Sequence, residues 1–341
     1  MADNAADEIF DIPCNDGAAG GGGAAAGGEE GEDSPAQIAA LKIVLGPDVL
    51  AADSEGYLTD STLARYLRAR QGHHEKSKKM LLGSLKWRAK TLADLQAAPG
   101  RQPSQLKDSI CEFCARTPGY HPMRQVGFDK MRRPVVYVCF AQAQNYWFNT
   151  KDMIAHLVPL MENAVASMVT GVDQMVWVMD YNGFGAGSCN PMTGKTAATI
   201  LADHYPERLG RVYCLNAPRV FSVFFSAISP FIDEKTKSKV IFPSSVETFR
   251  ASDAAEEFGD EMLDWICEEV NENHKKRMSP AQKSFWLAPG EKEENGGGNI
   301  HDPRGCPSFV AEMIEPSMSG CIRGWQPHPN ITLKSPPLPP S

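Results

Sequence analysis

No apolar run in this sequence approaches the ~20 residues that a bilayer-spanning helix requires. The first 36 residues hold no Lys or Arg, so the basic and apolar segments of an export signal are missing. The nine cysteines are odd in number and scattered, which argues against a disulfide framework and for a reducing compartment. A cytoplasmic location is the expectation. Local signatures of nucleophilic catalysis, whether Ser/His/Asp or Cys/His, are also missing. No catalytic residue is assigned, and no enzymatic activity is expected. Cys111-Glu112-Phe113-Cys114 has redox or zinc spacing, but no second cysteine pair completes a tetrahedral site. Neither a metal nor a cofactor is expected, and His73, His74 and His121 read as isolated polar residues.

Charge is unevenly spread. Residues 1–36 carry nine acidic side chains and include Gly17–Gly28, a run of only Gly and Ala. That segment has too little apolar surface to offset its ordering entropy and reads as a disordered tail. It accounts for the net charge of −8, which leaves the remaining chain near neutral. A near-neutral body argues against a nucleic-acid footprint. Residues 278–341 turn to Gly, Pro and charge, ending in Pro336-Pro337-Leu338-Pro339-Pro340. They read as a second flexible tail, and either tail offers a site for a protein partner.

Between the tails, two blocks differ in pattern. Residues 37–100 read as a small helical bundle. Thr59-Asp60-Ser61 supplies N-cap chemistry, Leu63, Tyr66 and Leu67 follow at helical spacing, and Lys76–Leu95 forms a second helix after Gly72. Residues 116–270 alternate strands and helices. Pro134–Phe140, Met175–Met179, Arg211–Leu215 and Lys239–Phe242 read as buried strands, with helices at Lys151–Val169, Thr193–His204, Phe221–Ser229 and Ala254–Val270. That alternation predicts an α/β fold with a mostly parallel sheet covered by helices.

Two features carry functional content. Gly194-Lys195-Thr196 follows a buried strand and opens a helix, as a phosphate loop would, but position 189 is Cys where that loop needs Gly. Gly183, Gly185 and Gly187 miss the dinucleotide spacing because position 188 is Ser. A nucleotide-binding enzyme therefore stands as a minor alternative. The second feature is Val220–Ile232, thirteen residues without a charge. Phe221, Phe224, Phe225 and Ile228 fall on one helical face, either to cover a core or to border an apolar cavity and touch lipid at an interface. Around it stand Glu207, whose carboxylate can accept from hydroxyls, and Thr236 and Lys239, one turn apart. Lys and Arg donate to phosphate.

His204–Pro218 (HYPERLGRVYCLNAP), Phe231-Ile232-Asp233 and Thr236–Lys239 (TKSK) resemble the CRAL-TRIO lipid-binding domain, and in particular the phosphatidylinositol/phosphatidylcholine transfer proteins. Thr62–Arg70 (TLARYLRAR) and Lys86-Trp87-Arg88 resemble the helical domain that precedes it. The resemblance covers about residues 37–265. It implies an apolar lipid pocket floored by the sheet, gated by Phe221, Phe224, Phe225, Ile228 and Phe231, with phosphatidylinositol as cargo and no other cofactor. Its headgroup set falls on Arg70, Glu207, Thr236 and Lys239. Gln71 replaces a basic residue of the family pattern, and Arg132 replaces a turn glycine. Met175 and Trp177 replace the hydroxyl side chains that hold phosphatidylcholine. The implied activity is gated exchange of phospholipid by a monomer that is peripheral and transient at the membrane. A lipid-sensing adaptor that presents phosphoinositide to a partner or lipid kinase is the alternative.

Overall fold

The computed structural model describes residues 31–53, 56–96, 123–142, 150–185, 190–275 and 301–313. The Gly/Ala run, Cys111–Cys114, His121 and the final proline run lie outside the described residues. Folded structure begins slightly earlier than the sequence suggests. Ser34 caps α1 (Pro35–Leu45), and Asp33 pairs with Arg68 at 2.6 Å, so residues 33–36 belong to the fold and not to a tail. After the short α2 (Pro47–Ala51), α3 (Asp60–Ala69) starts where the side chain of Thr59 accepts from the Thr62 amide. Its buried Leu63, Tyr66 and Leu67 pack with Leu41 and Leu45 of α1 and with Met80 and Leu81 of α4 (His74–Gln96).

The five-stranded sheet runs in chain order: β1 (Met123–Phe128), β2 (Pro134–Cys139), β3 (Met175–Asp180), β4 (Leu209–Leu215) and β5 (Val240–Ile241). β1 pairs antiparallel with β2, and every later pair is parallel. Parallel strands added in one direction by right-handed crossovers must carry all their connections on one face. Three connecting helices lie there: α5 (Thr150–Ala166), α6 (Pro191–His204) and α7 (Arg219–Ile228). They cover Val136, Val138, Met175, Trp177, Val212 and Cys214. The alternate residues Val135, Tyr137, Val176, Val178, Tyr213 and Leu215 face the opposite way, as a period of two requires. After the short α8 (Glu234–Lys237), that second face is covered by Phe249 of α9 (Val246–Arg250), Ala254 of α10 (Ala254–Glu257) and the buried side of α11 (Asp260–Asn273). The single helix expected over Ala254–Val270 is thus broken near Gly259, the N-cap of α11.

β1 escaped the pattern reading, and so did the structure within residues 301–313. β1 buries Arg124 and Gln125, which no alternation rule would place inside. Arg124 donates to Glu269 at 2.8 Å, to Gln142 at 2.9 Å and to the Pro303 carbonyl at 2.6 Å. His301 contacts the other Glu269 oxygen at 2.7 Å, and the Trp265 indole donates to the Asp302 carbonyl. The Cys306 amide donates to Val126 O at the β1 bulge, and Phe309 of α12 (Pro307–Met313) enters the core. Part of the segment expected to be a flexible tail therefore completes the second face. The substituted turn residue Arg132 sits at φ +61°, so the left-handed β1–β2 turn is kept without glycine.

Burial pushes the Glu269 carboxyl up, but hydrogen bonding to His301 and the charge of Arg124 hold it below its ordinary value of 4.5. A lowered folded value means this stability is full at neutral pH and is lost as pH falls through it. Glu269→Ala leaves the Arg124 guanidinium buried and short of its charged partner. The expected cost is about 3–5 kcal/mol in urea unfolding at pH 7, with the gap to wild type narrowing below about pH 4.

Candidate functional site

α7 leaves the sheet after Asn216, which holds φ +56°, and Pro218, the N-cap. Its aromatic face turns inward. Phe221 is 4 % exposed and lies 4.3 Å from the Tyr181 ring centroid, 5.9 Å from Phe184 and 5.7 Å from Phe225. Phe224 and Ile228 are half-buried, while Ser222, Val223, Ser226 and Ala227 face outward. Burying side chains of this size stabilises by roughly 1.5–3 kcal/mol each, so the position of α7 rests on its inner face. The outer side is not polar throughout: Val223, Phe231 and Phe242 are 73 %, 43 % and 50 % exposed.

The phosphate-loop likeness at Gly194 has a packing explanation. Asn190 caps α6 by accepting from the Met192 and Thr193 amides, and Pro191 takes the first turn. Gly194 therefore lies within a helix. A Cβ at Gly194 would stand 2.6 Å from Cζ of Phe224 and 3.1 Å from Cγ2 of Ile228. The glycine lets α7 lie directly on α6. Next to it, Nζ of Lys195 sits 4.5 Å from the centroid of the exposed Phe231 ring, a cation–π contact across the far end of α7. Gly183, at φ +81°, likewise meets the Ala141 backbone, where a Cβ would clash at 2.8 Å.

Three of the four expected polar residues come together beyond α7. Glu207 follows Pro206 with φ +58° and accepts an ion pair from Lys235 at 2.8 Å. Asp233 caps α8 and takes both the amide and the hydroxyl of Thr236, at 2.8 and 2.6 Å. Lys239 donates to the Leu209 carbonyl at 2.6 Å. Burial lowers the Lys239 pKa, opposed by the charge of Glu207 and reinforced by those of Lys235 and Arg68. A cation under that strain gains from a further anion. Arg70 is not in this group: it faces Asp203 of α6 at 3.9 Å and makes no hydrogen bond or ion pair with Glu207, Thr236 or Lys239. Arg68, two residues earlier, pairs with Asp33 at 2.6 Å and Asp173 at 3.8 Å, and its charge adds to the lowering of the Lys239 pKa. Lys235 and Asp233 were also missed, although Lys235 and Lys239 are spaced as helical neighbours. Met175 and Trp177 are buried in the apolar cluster beneath α5–α7 and bring no hydroxyl there. Among the described residues no group of His, Cys, Asp or Glu is placed to hold a metal, and no helix is long and apolar enough to cross a membrane.

The packing at Gly194 gives a direct test. Gly194→Leu should wedge Phe224 and Ile228 outward and raise hydrogen exchange of the α7 amides at least tenfold. Exchange in β2–β4 and the far-UV circular dichroism should stay unchanged.

The model of the CRAL/TRIO domain matches residues 120–259. The SEC14 cytosolic factor of Kluyveromyces lactis is 30% identical over 210 residues, covering 57% of this chain and 67% of that protein. The phosphatidylinositol transfer protein PDR17 of Saccharomyces cerevisiae is 26% identical over 200 residues, covering 56% of this chain and 54% of its own. A CRAL-TRIO domain-containing protein of Schizosaccharomyces pombe is 30% identical over 202 residues, but those cover 58% of this chain and only 18% of that longer protein. The crystal structure of Sfh5 superposes with a TM-score of 0.50 at 16% identity, over 66% of this chain and 84% of Sfh5, a likeness of fold. With its five-stranded, mostly parallel sheet and preceding helical bundle, the chain belongs to the CRAL/TRIO domain family.

Proposed function

We propose that this protein binds one phosphatidylinositol molecule and transfers it between membranes by gated exchange, without chemical conversion of the lipid. The observation that carries this reading is α7 itself. Its inner aromatic face packs on the apolar cluster over β2–β4, and the chain after it runs through Asp233 into Thr236 and Lys239, whose charge is within reach of Glu207. In this reading the acyl chains lie between the sheet and α5–α7, against Val138, Met175 and Trp177. Lys239, assisted by Arg68, takes the phosphate, while Glu207 and Thr236 bond inositol hydroxyls. Arg70 would have to leave Asp203 to take part. Phosphatidylcholine is disfavoured because Met175 and Trp177 bring no hydroxyl to its headgroup.

Burying acyl chains contributes about 0.8 kcal/mol per CH₂, so release into water would be too slow to matter. Exchange then needs a membrane, and the exposed Val223, Phe231 and Phe242 beside Lys195 and Lys235 suit an interfacial contact. The protein would work as a cytoplasmic monomer that meets membranes transiently. The relatives named as a cytosolic factor and a phosphatidylinositol transfer protein support the same reading.

Purified protein should carry phosphatidylinositol in native mass spectra and move labelled phosphatidylinositol between vesicles. Lys239→Ala should slow that transfer about tenfold or more, since a hydrogen bond from a charged group is worth roughly 1.5–3 kcal/mol. Its melting temperature should stay within a few degrees of wild type. No copurified phospholipid and no transfer would defeat the carrier reading.

A further inference from the structure

A cavity of about 210 Å³ lies where the helical bundle meets the sheet domain, apart from α7 and its foot. Its lining includes Tyr57, Arg65, Arg88, Glu162, Tyr205 and Arg208. At about 30 Å³ for each water in the liquid, the space is far too large for one solvent molecule. It is also smaller than the roughly 300–1,000 Å³ of drug-sized sites. Positive charge is concentrated there. The Arg65, Arg88 and Arg208 side chains are 4, 10 and 12 % exposed, and guanidinium groups are seldom buried without full pairing.

Their carboxylates do not balance them. Asp173 serves Arg65 at 3.1 Å, Arg208 at 3.6 Å and Arg68 at 3.8 Å, and is itself 36 % exposed. Glu162 holds Arg88 in a two-pronged pair at 2.7 and 3.0 Å and also accepts from the Tyr205 hydroxyl at 2.7 Å. The buried Nε of Arg88 has no hydrogen-bond partner. Burial, followed by the like charge of Arg65, pushes Arg208 down to about 10. His204 adds no charge, because burial and then Arg88 push it down to about 3. Hydroxyls complete the lining at Tyr57, Thr59 and Thr62.

We propose that this cavity binds a small phosphomonoester anion, held by Arg65, Arg88 and Arg208 with hydroxyl donors from Tyr57 and Thr62. Guanidinium forks match phosphate oxygens in pairs. The phosphate would supply the charge that one shared, half-exposed aspartate does not. Because α3 and α4 line the cavity together with α5 and the turn between α6 and β4, an occupant would also tie the bundle to the sheet domain.

Calorimetry on the full chain with inorganic phosphate and with glycerol phosphate tests this, against chloride at matched ionic strength. Saturable binding is expected, weakened at least tenfold in Arg208→Gln and unchanged in Lys42→Ala, a surface cation of α1; phosphatidylinositol transfer between vesicles is read separately, so that failure here leaves the α7-foot site standing. If phosphatidic acid vesicles bind in an Arg208-dependent way and the soluble probes do not, the phosphomonoester is a lipid headgroup. If Arg208→Gln fails to fold, phenylglyoxal labelling of wild type decides: inorganic phosphate should protect Arg65 and Arg208. Absence of saturable binding by all three probes, equal binding by a folded Arg208→Gln protein, or no protection would overturn the proposal.

Discussion

The contact between Gly194 and the Phe224–Ile228 face of α7 is the constraint on which the site depends. A helix that covers a sheet normally does so through its own crossover position, fixed by the strands on either side. α7 joins β4 to the two-residue β5, so little of the sheet's far edge holds it. Its position is set instead by aromatic packing inward and by the close approach to α6 that only glycine permits. The third of the helices on that face is therefore anchored mostly by apolar and local contacts.

The opposite face is closed differently. There α11 and residues 301–313 are fastened by Arg124, Glu269, His301, Gln142 and Asn273, a set of buried, mutually bonded polar groups. Such groups resist partial opening, because separating one leaves another buried without its partner. The two faces thus differ in chemistry: one is fastened by buried polar bonds, the other by apolar packing. On the gated-exchange proposal, it is the apolar face that parts to admit a lipid.

Much of this was legible in the sequence, and the misses share a cause. β2, β3 and β4 are short apolar runs spaced by helices, so the parallel sheet followed directly from pattern. The Phe221/Phe224/Phe225/Ile228 stripe marked the face of α7 that turns inward. β1 was hidden because Arg124 finds its partners more than a hundred residues away, at Glu269 and Pro303. Residues 301–313 were hidden for the same reason, since composition cannot reveal that Phe309 enters a distant core. Gly194 looked like part of a phosphate loop, and its true contact lies thirty residues along the chain. Glu207 and Lys239 lie within electrostatic reach of each other, and Thr236 stands one turn before Lys239. Arg68 and Arg70 both lie at the end of α3, and only the tertiary fold determines that Arg68 pairs with Asp33 and Asp173 while Arg70 meets Asp203.

On the gated-exchange proposal, α7 moves away from α6 at a membrane while the rest of the sheet domain stays in place. Spin labels at the exposed Val223 on α7 and at the exposed Met131 in the β1–β2 turn would report this by pulsed dipolar spectroscopy. The account predicts one narrow distance in solution and a second, longer population when phosphatidylinositol-containing vesicles are added. A single unchanged distance on vesicles, in a labelled protein that still transfers lipid, would contradict it.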